Sequence, residues 1–497
     1  MGKKTLFIAG LILTVFTVLE FYRYPRTFLY ERDQAAALFF AQRASLFGEL
    51  PLSGINVAIE NINLQTPLYY YLIALLYFFL KSEIGISLVF AFSNYLYLLL
   101  IFLTAKTLFH AKAALLAFFF AAFAFNTVNY GRYFWEPHLI PLLIAASFYF
   151  LVKANLRHLK IYYLLAYISF GFSLMYLSSW LFLPALLFLT VKAARSRFKP
   201  LFHLLVTFFV AYLPVIFYEF QTGYSLAGIP ALISGRTPFF SFDVRSIISS
   251  TANHAFLFLA SFLGNDFSPI FLLAVAVGSV YFSGTQNRKK IAGLYLVIFS
   301  GLALSGLYQG IPAKHRLNSL FPFFCLTAGY LTWTFFKTKL KTYQSWTARL
   351  AMLSFIFVFL QYNSLKLAKL YFTKNAESLD KAEKISDYIL SSAQSEDFTL
   401  ATVLAGEMKM VYNVNYYFLL EKETGRKLVK LNDTGNWTGF ETDPRKRWLY
   451  LICREIKNRQ EAQKVCLDYY RTRFGAGEPD GYFQAEDTGV FKILQAD

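Results

Sequence analysis

Pro67-Leu68-Tyr69-Tyr70-Tyr71-Leu72-Ile73-Ala74-Leu75-Leu76-Tyr77-Phe78-Phe79-Leu80 is an unbroken apolar run of 14 residues, and the topology of the chain turns on whether it crosses a membrane. A helix of this length reaches about 21 Å, short of the roughly 30 Å of a hydrocarbon core. It reads as an interfacial or re-entrant helix, with Pro67 in its first turn and Thr66 as its cap. Eleven further apolar runs read as spans, at about 5–21, 84–105, 112–128, 138–152, 161–177, 180–192, 201–219, 268–284, 291–311, 317–336 and 349–370. With 56% hydrophobic and only 16% charged residues among 497, the chain reads as a polytopic α-helical membrane protein.

Charge decides the parity. With Lys3-Lys4 inside and Pro67–Leu80 not crossing, five clusters face the cytoplasm: Lys106/Lys112, Lys153/Arg157/Lys160, Lys192/Arg195/Arg197/Lys199, Arg288/Lys289/Lys290 and Lys337/Lys339/Lys341/Arg349. A crossing would turn these 16 positive groups outward, against the positive-inside rule. The same eleven-span arrangement gathers all ten acids of residues 1–374 on one side. The first apolar run lacks a small-residue cleavage site and reads as a retained span.

The net charge of +18 does not point to nucleic acid. Residues 1–374 hold 31 basic and 10 acidic groups, and residues 375–497 hold 17 and 20, so the excess belongs to the membrane part. The outside face then carries a first loop at 22–83, a turn at 129–137, a long loop at 220–267, a turn at 312–316, and the tail. Within the first loop, Ala35 to Phe47 reads as an amphipathic helix lying on the membrane.

The tail, 375–497, has the polar balance of a small α/β domain on the extracytoplasmic side, distinct from the membrane domain at 1–374. Helices are expected at Asp380–Ser392, Met408–Glu421 and Gln460–Arg473, and strands at Phe398–Leu404 and Trp448–Cys453. Cys453 and Cys466 can pair in an oxidising compartment. Cys325, in an apolar run, reads as core filler.

Three sets of ionisable residues at span ends and outer turns are candidates for chemistry, because charge near a membrane is expensive to keep. Tyr30-Glu31-Arg32-Asp33-Gln34 follows the first span directly and would hold the Asp33 carboxylate at the membrane surface, where it can act as a base. The bland alternative is a solvated loop end. Gly131-Arg132-Tyr133-Phe134-Trp135-Glu136-Pro137-His138 offers Arg132 to a phosphate, with Glu136 and His138 as polar walls. The alternative is a snorkelling arginine beside an aromatic belt. Lys314-His315-Arg316 places cations on the outer side, where they would stabilise an anionic leaving group or bind anionic lipid. No Cys/His metal spacing, phosphate-binding glycine loop or nucleophile elbow occurs in the sequence.

In their order and sidedness these motifs resemble the large-loop membrane glycosyltransferases of the GT-C class, in particular the superfamily of protein O-mannosyltransferases and lipid A aminoarabinose transferases. The resemblance covers roughly residues 5–340. It rests on Asp33 after the first span, on Gln65-Thr66-Pro67-Leu68-Tyr69-Tyr70-Tyr71-Leu72 opening a second helix, on Gly131-Arg132, and on His315 before Phe321-Pro322-Phe323. Gln34 stands where the eukaryotic members have a second acid, Gln65-Thr66-Pro67 replaces a His-Pro-Pro, and Glu136 replaces a neutral amide.

The resemblance implies inverting transfer of a sugar from a polyprenyl-phosphate carrier to an extracytoplasmic lipid, glycan or protein acceptor. Asp33 would be the general base. Glu31, Arg32, Gln65, Arg132, Glu136, His138, Lys314, His315 and Arg316 would bind substrate, among membrane lipids. No cofactor is fixed, and a divalent cation is compatible with these residues. A lipid-linked sugar flippase, or a surface-polysaccharide polymerase or ligase, is the competing expectation.

Overall fold

The computed structural model describes residues 3–28, 30–51, 66–132, 134–157, 159–194, 199–222, 243–264, 285–309, 313–337, 342–372, 379–393, 398–405, 409–411, 414–426, 448–474 and 478–494, with 272, 275–277, 279–280, 428 and 446. The chain forms two compact units. The first comprises Met1–Tyr24, Leu52–Tyr69 and Gly85–Thr373, and the second Pro25–Pro51, Tyr70–Ile84 and Lys374–Asp497.

The first unit is helical. Among the described residues, seven helices are long and apolar enough to cross a membrane: Lys3–Phe21, Glu83–Leu108, Glu136–Arg157, Leu201–Gln221, Val244–Leu263, Lys314–Lys337 and Arg349–Phe372. Their outward residues, among them Phe7, Phe92, Phe209 and Phe357, remain exposed, as lipid-facing side chains do.

The seven helices differ from the expected spans in instructive ways. Val244–Leu263 lies inside what reads as a long outer loop; Ser246, Ser249, Ser250, Thr251, Asn253 and His254 dilute its hydropathy, yet Asp243 caps it by accepting a hydrogen bond from the Ser246 amide at 2.8 Å. The expected span at 112–128 is broken into Ala111–Phe123 and Phe125–Tyr130, and that at 161–177 is the shorter Lys160–Ser173. The run at 268–284 lies largely outside the described residues.

Ring packing closes the middle of this unit, with Phe262 stacked 3.8 Å from Phe324 and 4.8 Å from Phe321. Helices Phe321–Lys337 and Ala111–Phe123 approach so closely that a Cβ on Gly329 would collide with the backbone of Ala117. Small residues permit such crossings in lipid. Gly329→Ala is therefore expected to destabilise the protein by about 1–3 kcal/mol through overpacking, seen as a lower melting temperature in detergent. An unchanged melting temperature would show that the two helices can part without loss.

The second unit joins the first-loop helices to the tail. Helix Arg32–Phe47 begins with a reciprocal capping box between Glu31 and Gln34, whose side chain accepts from the Glu31 amide at 3.1 Å. Its polar residues lead one to expect an amphipathic helix with one face left open, and the structure covers it instead. Ala35 through Arg43 are all buried, because small alanines let helix Val414–Thr424 approach and Arg43 finds its counter-ion there. Helix Leu68–Leu80 spans only 13 residues, about 20 Å; Tyr69, Tyr70, Ile73 and Tyr77 are buried while Leu75, Phe78 and Phe79 are exposed.

The tail carries a five-stranded sheet in the order β2-β1-β3-β5-β4, where β1 is Phe398–Leu404, β2 Lys409–Val411, β3 Trp448–Arg454, β4 Pro479–Ala485 and β5 Thr488–Leu494. Strands β1 and β3 pair in parallel, Phe398 opposite Trp448, and the remaining pairs are antiparallel. Helix Leu379–Ala393 packs Ala382, Ile385 and Ile389 inward at helical spacing. The expected helix from Met408 instead starts at Val414, after the short β2, and the β4–β5 hairpin is a further element that the expected pattern lacked. Cys453 and Cys466 form a disulfide, with Cα atoms 5.9 Å apart, and Cys325 is buried in the first unit.

Candidate active site

Asp33 occupies the first turn of helix Arg32–Phe47 and is partly exposed. The N–H groups that a helix start leaves without intrahelical partners, together with the helix dipole, make that position favourable for an anion. The helix is anchored at both ends. Just before it, the buried Tyr30 hydroxyl donates to the Asn415 carbonyl at 3.0 Å, and the Tyr30 ring packs 6.4 Å from Phe418. Burial, reinforced by the charge of Glu83, pushes the Tyr30 phenol well above its ordinary range.

At the far end Arg43 meets Glu421 through two parallel hydrogen bonds, Nε to Oε2 at 2.8 Å and Nη2 to Oε1 at 2.5 Å. Both side chains are essentially inaccessible, and Glu421 also accepts from the Leu428 amide at 2.8 Å. Lys422 pairs with Glu83 at 2.7 Å. The N-cap residue Glu31 acts electrostatically on Arg454 at the end of β3. Burial lowers the affinity of that guanidinium for its proton, and the charges of Glu455, Asp487 and Glu31 restore part of it. Arg32 opens the helix, and its side chain lies outside the description.

In the first unit the structure places Arg132 differently from its expected role. Its side chain is fully buried, and Nη2 donates to the carbonyls of Leu19, Glu20 and Tyr22 at 2.7, 2.9 and 3.1 Å. Its Cζ lies over the rings of Tyr371 and Tyr24, at 4.9 and 5.7 Å. This is the geometry of a helix C-cap for Lys3–Phe21, closing carbonyls that a helix end leaves unpaired. Gly131 serves the same junction: a Cβ there would collide with the Glu20 carboxylate, which also accepts from Asn94 Nδ2 at 3.1 Å.

Glu136 and His138 open helix Glu136–Arg157, both buried. The structure does bring this turn to the Lys314-His315-Arg316 segment, which forms a 3-10 turn, Lys314–Leu320. Trp135 touches both imidazoles, 5.4 Å from the His138 ring and 4.8 Å from that of His315. Asn318 ties the two together, accepting from the Tyr130 hydroxyl at 2.6 Å and donating to the Pro137 carbonyl at 2.7 Å. His138 stacks on Tyr130 at 4.1 Å beside a small cavity lined also by Asn94, Tyr97, Thr127 and Phe321. Arg316 lies over the Tyr308 ring at 4.2 Å.

Gln65 lies outside the described residues. Sequence reasoning missed Lys366, whose side chain meets Lys314 and sits over the rings of Tyr362 and Phe125. A lysine inside the apolar run 349–370 was the available signal. Among the described residues, no three or more His, Cys, Asp or Glu side chains gather as metal ligands would.

Against known structures, the chain is similar to ArnT from Cupriavidus metallidurans bound to undecaprenyl phosphate, with a TM-score of 0.62 at 11% identity over 97% of each chain. It has the fold of a GT-C membrane glycosyltransferase. The same ArnT in the apo state gives a TM-score of 0.50 at 13% identity, again over 97% of each chain. The Archaeoglobus fulgidus oligosaccharyltransferase tethered with an acceptor peptide gives a TM-score of 0.50 at 12% identity, over 99% of this chain and 74% of that one. Residues 64–218 match the family model described as dolichyl-phosphate-mannose-protein mannosyltransferase. No curated protein matches the sequence.

Proposed function

We propose that this GT-C protein transfers a sugar from a polyprenyl-phosphate carrier to an extracytoplasmic lipid, glycan or protein acceptor, with inversion. The observation that carries the reading is the fold likeness over nearly the full length to an enzyme bound to undecaprenyl phosphate, joined to an aspartate in the first turn of the helix that follows the first span.

In the proposed step the acceptor hydroxyl oxygen bonds to the anomeric carbon while Asp33 takes its proton. The bond from that carbon to the phosphate oxygen breaks, and the electron pair leaves with the lipid phosphate. Lys314 and Arg316, with Lys366 beside Lys314, supply positive charge for that leaving group. Arg132 is occupied with the end of the first span and serves as scaffold. The Cys453–Cys466 disulfide supports a tail that matures in an oxidising compartment, hence on the outer side with the site.

The test is a membrane assay with a panel of undecaprenyl-phosphate-linked monosaccharides. Release of undecaprenyl phosphate coupled to labelling of an acceptor is expected for at least one donor. Movement of the donor across the bilayer without cleavage of any of them would favour a flippase instead. For Arg316→Ala, kcat should fall about tenfold, less than the 10²–10³ of an enclosed oxyanion donor because the group is partly exposed. An unchanged kcat would remove it from the leaving-group role.

A further inference from the structure

We infer that the Arg43–Glu421 ion pair is the positioning device for the Asp33 carboxylate, so that the tail sets the geometry of the catalytic base. The inference rests on the general-base reading of Asp33 and goes beyond it by giving the tail a part in catalysis.

The argument begins with rigidity. Asp33 and Arg43 share one helix, ten residues or about 15 Å apart along its axis. A helix moves as a rod, so its far end decides where its first turn points. The helix is 16 residues long and rich in alanine, so its small side chains offer few directional contacts that would fix its rotation about its own axis. The two-pronged contact of Arg43 with Glu421 restricts that rotation, because two parallel hydrogen bonds hold a guanidinium and a carboxylate close to one plane.

Burial of both partners makes the alternative placements expensive: a helix shifted by one turn would leave two charges without each other in a dry interior. Such a buried pair adds little net stability compared with apolar packing, and fixing register is its best-attested use. Tyr30, with its hydrogen bond to Asn415, holds the other end of the same lever. Both anchors belong to helix Val414–Thr424 or its first turn. Misplacing a reacting group by about 1 Å is enough to lose about 100-fold in rate.

The experiment uses the full-length enzyme in nanodiscs with the undecaprenyl-phosphate sugar that the wild type turns over. Arg43→Glu and Glu421→Arg are each expected to lower kcat about 100-fold with the donor KM within twofold, and to move the acidic limb of the pH profile of kcat/KM. Loss of folded protein cannot move that limb. The double reversal, Arg43→Glu with Glu421→Arg, should recover at least tenfold over either single change. Should the reversals fail to fold, Arg43→Lys keeps the charge but not the fork, and should still lower kcat and shift the limb. A folded Arg43→Lys or Arg43→Glu enzyme with wild-type kcat and pH profile would overturn the inference, as would a folded double reversal no better than the singles. Asp33→Asn runs alongside: if it alone is inactive while the Arg43 variants are normal, only the positioning inference falls; if Asp33→Asn stays active, the general-base reading falls.

Discussion

Asp33→Asn is expected to lower sugar transfer by about 10²–10⁴-fold while leaving the protein folded. The magnitude separates chemistry from structure. A 10²–10⁴-fold loss is about 2.7–5.5 kcal/mol of barrier. The structural part of the change is far smaller, because the amide keeps the size and oxygen of the carboxylate, and the helix-dipole contribution of one first-turn charge is about 0.3–1 kcal/mol. Radiolabelled transfer and the melting temperature, measured on the same preparation, read the two quantities. Transfer that survives in the Asp33→Asn enzyme would move the base to another residue.

Arg132→Ala is expected to act in the opposite manner, through folding. The substitution strips three backbone carbonyls at the end of helix Lys3–Phe21 of their donor and leaves the buried Glu20 without the neighbouring cation. Breaking a buried charged arrangement of this kind costs about 3–5 kcal/mol, a large share of the roughly 5–15 kcal/mol that holds an ordinary domain together. The protein should accumulate poorly, and what is recovered should melt early. Arg132→Lys should rescue little, since an ammonium cannot reach several carbonyls in one plane. Normal abundance and melting with a selective loss of donor binding would restore the phosphate-binding role expected from the sequence.

These two residues also mark how far the sequence could be read. The place of Asp33 near the start of the first-loop helix was legible, because it follows the first apolar run and the caps of that helix, Glu31 and Gln34, are local. Arg132 was read as a phosphate ligand or a snorkelling side chain, because its partners are backbone carbonyls, which every sequence possesses and none advertises. Arg43 was read as part of a polar face because its counter-ion lies 378 positions away, beyond any periodicity. Helix Val244–Leu263 was hidden by its hydroxyl and amide residues, of which Ser250 finds a partner in the helix packing, donating to the Tyr308 carbonyl at 2.7 Å. The short β2 and the terminal hairpin escaped for a different reason: β4, with Pro479, Asp480 and Gly481, carries turn residues where alternating apolar ones would mark a strand.

The separation between Arg43 and Glu421 has a consequence for how the molecule comes into being. At ribosomal speeds of about 5–20 residues per second, roughly 20–80 s pass between the emergence of one partner and that of the other. Throughout that interval the guanidinium can meet Glu49 and the neighbouring Phe39 and Phe47 rings, but the two-pronged contact with Glu421 is still to come. If the Arg43–Glu421 pair positions Asp33, a nascent or prematurely terminated chain, however well inserted in the bilayer, lacks the contact that sets its acid, and synthesis to the last quarter of the message becomes the licence for the enzyme to work.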